Sequence, residues 1–205
     1  GLPGSVIGLD PPARHYDRLS LSLAGPHQQR NAALAVRAAE LTFLAGEDDA
    51  SADAAVREGL GDVRGHTGFH GRLDVLGNEP LLVVDVGHNP PAIAATLDTV
   101  APVVAGRGGT LHVCLNAVRG KQLDETARLL AAHDAVVTPI PIDTRRALPP
   151  DEIAERLRAQ GVTTRTPRPL ADALDAFERS APPADGLLLT GSHKLVDVLP
   201  PRFRD

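Results

Sequence analysis

The sequence has 205 residues, of which 42% are hydrophobic, 23% are charged and only 2% are aromatic, as expected for a globular chain with an aliphatic core that forms one domain and part of another. The formal net charge is −5 and no basic stripe runs through the sequence, so we expect no nucleic-acid partner. No apolar run approaches the roughly 20 residues that a membrane helix needs, and no signal peptide is recognisable. We therefore expect a cytoplasmic protein with no membrane partner.

The composition holds two further signals. Cys114 is the single cysteine and lies in an apolar run, so we expect a buried strand residue rather than a catalytic thiol. A chain without a disulfide framework fits a reducing cytoplasm. There is no methionine, and the sequence begins Gly1-Leu2-Pro3-Gly4 as if in mid-domain. We therefore expect the chain to be a fragment of a longer protein.

The first part of the chain is predicted to be mainly helical. Residues 1–18 are rich in Pro, Gly and charge, which indicates a loop, and the alternation at 19–23 indicates a short strand. Apolar spacing near 3.6 residues predicts a helix from His27 to about Gly46. Ser51 is the expected N-cap of a second, short helix that ends at Gly59.

Four glycines between residues 61 and 71 indicate a flexible connection to a second part with a different pattern. Strands are predicted near 72–76, 81–86, 110–116, 135–141 and 186–190, and helices near 91–104, 121–132, 150–159, 169–179 and 192–199. This alternation predicts an α/β fold: a mainly parallel, Rossmann-like sheet with helices on both faces. The apolar runs at 81–84 and 187–189 are continuous, as in central strands that are covered on both sides.

Two segments follow central strands, at the sheet edge where ligands of such folds bind. The first is Asp85-Val86-Gly87-His88-Asn89-Pro90, and the second is Thr190-Gly191-Ser192-His193-Lys194. Asp and Asn before a helix are usually caps, and a Gly-Ser pair after a strand is usually a turn. Because both segments should lie at the same sheet edge, a binding site there is a competing interpretation.

Three other groups of residues could carry chemistry. His27 and Asn31 share one helix face and could contact a purine, although from these residues alone a helix cap formed by His27 and Gln28 is the favoured interpretation. Arg72 follows the glycine-rich segment and could reach phosphate oxygens, although an ordinary surface arginine is commoner. His66 and His70 lack an obvious third ligand, so we predict solvated histidines and no metal site.

In this order, the segments resemble motifs of the folylpolyglutamate synthase/dihydrofolate synthase family, within the Mur ligase superfamily. The matching residues are Gly25-Pro26-His27-Gln28-Gln29-Arg30-Asn31-Ala32, Gly59-Leu60, Gly71-Arg72, Asp85-Val86-Gly87-His88-Asn89-Pro90 and Gly191-Ser192. The resemblance runs from about Leu19 to Leu199. It implies that residues 1–66 are the end of the central ATPase domain with its linker, and that residues 67–205 are the Mur ligase C-terminal domain.

The resemblance also implies an activity and a role for each site residue. The expected protein is an ATP-dependent ligase of folate biosynthesis, which joins L-glutamate to a folate or dihydropteroate carboxylate through an acyl phosphate. The cofactors would be ATP and Mg²⁺, and we expect a monomer. Asn31 would face the adenine in a pocket shaped by His27 and Gln28, and Arg72 would contact the triphosphate. The remaining roles are ribose binding by Asp85, a catalytic and substrate-binding role near the phosphates and amino acid for His88, and glutamate binding by Ser192.

The sequence departs from the family pattern at two places. An Asp-Lys-Asp turn of the family is here Gly120-Lys121-Gln122, so both acidic residues of that turn are absent. No Gly-x-x-x-x-Gly-Lys-Ser/Thr phosphate loop occurs, and in this family that loop and the magnesium ligands lie in the N-terminal part. We therefore expect the chain alone to be inactive. The alternatives are the C-terminal domain of a peptidoglycan Mur ligase and a non-catalytic nucleotide-binding module.

Overall fold

In the computed structural model, which describes residues 2, 5–10, 14–120 and 122–203, the chain divides into two units. The N-terminal unit is Pro3–His70, and the C-terminal unit begins at Gly71. Within the described residues, no helix combines the length and the apolar character that crossing a membrane would require.

The N-terminal unit pairs a β-hairpin with helices. Its elements are β1 (Ser5–Leu9), β2 (Tyr16–Leu21), α1 (Pro26–Leu41), α2 (Asp49–Gly61) and α3 (Val63–Thr67). The two strands are antiparallel. Their inward side chains pack with those of α1 and α2 in one apolar core, formed by Ile7, Tyr16, Leu19, Leu21, Ala32, Val36 and Val56.

The loop predicted for residues 1–18 is wrong over much of its length, because β1 and the start of β2 lie there. The strand character of β1 depends on pairing with β2, which local composition does not reveal. The predicted cap is also wrong: Asp48 rather than Ser51 caps α2, and its carboxylate accepts hydrogen bonds from the backbone N–H groups of Ala50 and Ser51. Helix α3 occupies part of the segment that was expected to be a flexible connection.

The C-terminal unit contains a six-stranded sheet in the order β3-β4-β8-β5-β6-β7. The strands are β3 (Asp74–Asn78), β4 (Leu81–Val84), β5 (Leu111–Leu115), β6 (Val136–Pro139), β7 (Thr163–Thr164) and β8 (Gly186–Thr190). Only β3, at one side of this sheet, is antiparallel to its neighbour, while every other pairing among the described strands of the sheet is parallel.

Helices cover both faces of this sheet, which confirms the predicted α/β fold. They are α4 (Pro90–Ala105), α5 (Leu123–Ala132), α6 (Pro150–Ala159), α7 (Leu170–Ser180) and α8 (Lys194–Asp197), followed by a 3-10 turn at Pro201–Phe203. Helices α4, α5 and α6 pack in succession on one face, and α7 and α8 cover the other. The helix predicted at 192–199 is too long, and the two-residue strand β7 was not predicted.

Strand β8 lies in the middle of the sheet although it comes last along the chain. All five of its residues are buried, as its continuous apolar run predicts. Leu187 and Leu189 pack against α7, and the alternation of the strand places Leu188 on the α4 side. The prediction for Cys114 is confirmed: it is buried in β5, and burial raises the pKa of its thiol to about 12.

A buried polar pair joins β5 to the start of β8, at the N-terminal ends of these strands. The imidazole Nε2 of His112 lies 3.0 Å from Asp185 Oδ2, and the other carboxylate oxygen accepts a hydrogen bond from Thr110 N at 2.9 Å. Burial lowers the pKa of His112, and the neighbouring Asp185 partly opposes that effect. The pair therefore satisfies polar groups that the strand ends would otherwise bury without partners.

We expect Leu188→Ala to lower the free energy of unfolding by about 2–5 kcal/mol, because it opens a cavity under the central strand. Leu188 is 0% exposed. The control is Val198→Ala, which should change stability little because Val198 is 43% exposed. Chemical denaturation of the two variants measures the difference. Equal losses in both variants would contradict a core centred on β8.

Candidate functional site

The carboxyl ends of β4, β8 and β5 lie side by side, and the sheet hydrogen bonding continues beyond the strands. Asp85 N donates to Leu189 O at 2.9 Å, and Asn116 N donates to Thr190 O at 3.3 Å. The two segments singled out in the sequence therefore meet at one sheet edge, as predicted. This edge is where doubly wound α/β folds bind ligands.

The turn after β4 is tied directly to the turn after β8. The Gly87 carbonyl oxygen accepts hydrogen bonds from Gly191 N at 2.9 Å and from Thr190 Oγ1 at 3.1 Å. Gly191 has φ +116°, and a Cβ at this position would lie 2.0 Å from the carbonyl oxygen of Asn116. Only glycine therefore lets the three strand ends come together this closely.

Asp85 holds the two loops beside the end of β4. Its side chain is buried, with the residue only 3% exposed. Oδ1 accepts a hydrogen bond from Gly87 N at 2.8 Å, and Oδ2 accepts one from Leu73 N at 3.2 Å. The carboxylate thus satisfies backbone donors on both sides of the strand end.

Arg72 is presented on a tight turn before β3. Gly71 N donates to Asp74 Oδ2 at 2.7 Å, and Val86 N donates to Gly71 O at 2.9 Å. Gly71 has φ +91°, and a Cβ there would lie 2.4 Å from a methyl carbon of Val86. The backbone on both sides of Arg72 is therefore fixed to the end of β4, while the arginine itself is exposed.

His88 and Asn89 follow in the same loop and have different environments. Asn89 caps α4, because its Oδ1 accepts a hydrogen bond from Ala92 N at 3.0 Å. His88 is exposed, with Nδ1 3.3 Å from the carbonyl oxygen of Val86. The cap interpretation of this segment is thus correct for Asn89, and His88 remains available to a ligand at the edge.

Ser192 is buried, and its contact is local. Its Oγ accepts a hydrogen bond from Lys194 N at 3.2 Å, two residues along the chain. The helix that follows, α8, has four residues, so it lacks the aligned N-terminal dipole of a longer helix. The hydroxyl can still donate its own proton, because Ser192 uses only an oxygen lone pair in this contact.

In the N-terminal unit, the three predicted adenine-pocket residues form one hydrogen-bonded chain. Gln28 is buried, its Nε2 lies 3.1 Å from His27 Nε2, and its Oε1 accepts a hydrogen bond from Asn31 Nδ2 at 2.9 Å. Asn31 is exposed, and the buried Nδ1 of His27 has no hydrogen-bond partner among the described residues. Gln28 therefore orients both neighbours.

The sequence interpretation missed Asn116, at the end of β5. With His88 and Gly191, it lines a cavity of about 10 Å³ that α4 and α5 also border. A sequence signal for Asn116 was present, because it follows an apolar strand in the same way that Asp85 follows β4.

Two other features of the sequence are the turn Gly120-Lys121-Gln122 and the histidine His66. Of that turn, Lys121 lies outside the described residues. The predicted solvated state of His66 is consistent with its exposure, and its Nε2 lies 3.9 Å from Glu58 Oε1.

Comparison with known proteins defines the class of protein to which this chain belongs. The sequence model of the family "Mur ligase, glutamate ligase domain" matches residues 71–193, which include Arg72, Asp85, His88, Asn116 and Ser192. The chain therefore belongs to the Mur ligase family.

Two proteins whose names include folylpolyglutamate synthase are similar to this chain. A probable bifunctional folylpolyglutamate synthase/dihydropteroate synthase of Haloferax volcanii is 31% identical over 176 residues, which are 84% of this chain and 19% of that protein. The structure of Mycobacterium tuberculosis folylpolyglutamate synthase complexed with ADP has a TM-score of 0.74 at 27% identity, and the match covers 92% of this chain and 42% of that one.

A relative from the peptidoglycan branch is also similar. The UDP-N-acetylmuramoyl-L-alanyl-D-glutamate–2,6-diaminopimelate ligase of Corynebacterium glutamicum is 29% identical over 199 residues, which are 89% of this chain and 35% of that protein. The chain thus spans between about a fifth and two fifths of the length of these three relatives.

We expect Asp85→Asn to lower the free energy of unfolding by about 1–3 kcal/mol, because the amide nitrogen of asparagine cannot accept the hydrogen bond from Gly87 N or Leu73 N. Asp98→Asn is the matched control, since Asp98 is exposed on α4. Thermal and urea denaturation of both variants measures the effect. A variant at Asp85 as stable as the control would show that the carboxylate does not hold these loops.

Proposed function

We propose that this chain forms one wall of the active site of an ATP-dependent ligase that joins L-glutamate to a folate or dihydropteroate carboxylate. The main support is the assembly of Arg72, Asp85, His88 and Ser192 at one sheet edge of a Mur ligase family domain. The family implies that the carboxylate takes the γ-phosphoryl group of ATP to form an acyl phosphate and ADP. The glutamate amine then attacks the acyl carbon and displaces phosphate, which leaves the new amide bond.

The nucleotide side of the proposed site lies towards β3. An exposed guanidinium on a fixed backbone suits phosphate oxygens, so Arg72 would contact the triphosphate. Each carboxylate oxygen of Asp85 accepts one backbone hydrogen bond and has a second lone pair, so the group can still accept from ribose hydroxyls. In the N-terminal unit, the exposed amide of Asn31, oriented by Gln28, would contact the adenine, with His27 shaping the same pocket.

The amino-acid side lies towards β8. Ser192 can donate a hydrogen bond to a carboxylate of the incoming glutamate, and His88 is exposed at the same edge. His88 would position the phosphate and amino-acid groups and accept or donate a proton there. The contribution of the protein is mainly orientation and charge neutralisation at the reacting groups.

We propose no Mg²⁺ ligands in this chain. Among the described residues, no group of three or more His, Cys, Asp or Glu side chains could hold a metal ion. We propose that a part of the parent protein outside residues 1–205 supplies the Mg²⁺ ligands and the phosphate loop. This proposal fits the absence of a Gly-x-x-x-x-Gly-Lys-Ser/Thr segment from the sequence. We therefore expect the chain alone to be inactive.

An ATP-dependent ligation assay on the full-length parent tests the function. We expect glutamate to be joined to dihydropteroate, tetrahydrofolate or both, with release of ADP, because the chain has the His27-Gln28 pair of the folate branch. The uridine-diphosphate muramoyl peptide that peptidoglycan ligases extend serves as the competing substrate. Ligation of that peptide with neither pterin accepted would favour the peptidoglycan alternative, and an absence of any ligation would favour a non-catalytic module.

The Ser192→Ala variant of the parent tests the amino-acid subsite. We expect the KM for glutamate to rise roughly tenfold, which is about 1.4 kcal/mol, with the KM for ATP little changed. Ser180→Ala is the control, because it removes a serine hydroxyl with a local hydrogen bond at an exposed helix end, where Ser180 Oγ donates to Ala176 O. A lower melting temperature with unaltered glutamate kinetics would limit Ser192 to its contact with Lys194 N.

A further inference from the structure

Asn116 is a buried polar residue at the site edge whose side chain has no hydrogen-bond partner among the described residues. The residue is 1% exposed, and neither Nδ2 nor Oδ1 makes a hydrogen bond to any described residue. A buried carboxamide without hydrogen bonds is costly, and in native proteins such groups are nearly always paired with protein, ordered water or a ligand.

Other polar side chains at this edge are satisfied. Asp85 accepts two backbone hydrogen bonds, and Asn89 caps α4. Thr190 donates to Gly87 O, and Ser192 accepts from Lys194 N. Their contacts would remain if no ligand ever bound. Asn116 makes no such contact with the described residues, and the cavity of about 10 Å³ that it lines has room for one water-sized group. Its carboxamide therefore points to an ordered water or to one polar group of a ligand.

The position of Asn116 separates it from the nucleotide side. It follows β5, and β8 lies between β5 and β4, so two strand spacings, about 10 Å, separate it from Asp85 across the sheet. Asn116 lines a cavity together with His88 and Gly191, and Gly191 immediately precedes Ser192 in the chain. Asn116 therefore belongs to the side of the edge where the proposed function places the amino acid.

We propose that Asn116 is a recognition residue for the amino-acid substrate, a proposal that rests on the function proposed above. The carboxamide combines N–H donors with a carbonyl acceptor, and an amino acid presents a carboxylate that accepts and an amino group that donates. Because the amide is neutral, it binds both groups without repelling the negatively charged substrate. A triphosphate, in contrast, offers acceptors and would leave the Asn116 carbonyl unpaired.

The Asn116→Leu variant of the full-length parent separates this role from a structural one. Leucine has nearly the same shape and removes the unpaired polar atoms, so we expect a higher melting temperature than that of the wild type. We also expect the KM for the amino acid to rise at least tenfold, with the KM for ATP within twofold of the wild-type value. A purely structural asparagine would instead lower the melting temperature and leave both KM values unchanged.

A second variant and a control complete the test. Asn116→Asp keeps the shape but replaces the donors with negative charge, so it too should raise the KM for the amino acid at least tenfold. Asn78→Leu, at an exposed asparagine where β3 ends, should leave both KM values unchanged. An unchanged amino-acid KM in both Asn116 variants would overturn the inference while the proposed function stands. A wild-type parent that ligates no amino acid would refute the proposed function, and the inference with it.

Discussion

The carboxylate of Asp85 accepts hydrogen bonds from two backbone N–H groups that lie outside the strand pairings, on Leu73 and Gly87. A buried carboxylate and buried backbone donors each cost free energy unless they are paired, so this arrangement satisfies three groups at once. It also fixes the turn that presents Arg72 and the loop that presents His88. The geometry of the turn before β3 and of the loop after β4 therefore depends on one side chain that is itself hardly exposed.

Asp85 consequently has two separable effects in the proposed enzyme. Its spare lone pairs can bind ligand hydroxyls, while its backbone contacts hold Arg72 in place. A change in nucleotide affinity after substitution of Asp85 would combine both effects. Measurements of stability and of ATP kinetics on the same variant distinguish a contact from a positioning effect.

Features that depend on local pattern could be predicted from the sequence. The apolar runs of β4 and β8 identify central strands, and the polar residues after them identify the edge where Asp85, His88 and Ser192 meet. Strand β1 was missed because its partner, β2, and not its own composition, makes it a strand. Asn116 also follows an apolar strand, but what distinguishes it is the lack of a hydrogen-bond partner among the described residues, which only the packed structure reveals.

The central place of β8 has a consequence for how the protein is made. Strands emerge from the ribosome in chain order. Strand β4 therefore lacks its parallel partner, β8, while about a hundred residues, through α7, are synthesised. Until β8 arrives, β4 and β5 each present an unpaired, apolar edge to the cell, and such edges invite association between nascent chains. The segment that completes the site is thus also the one whose arrival closes the sheet, so a chain that stops before Gly186 would lack both.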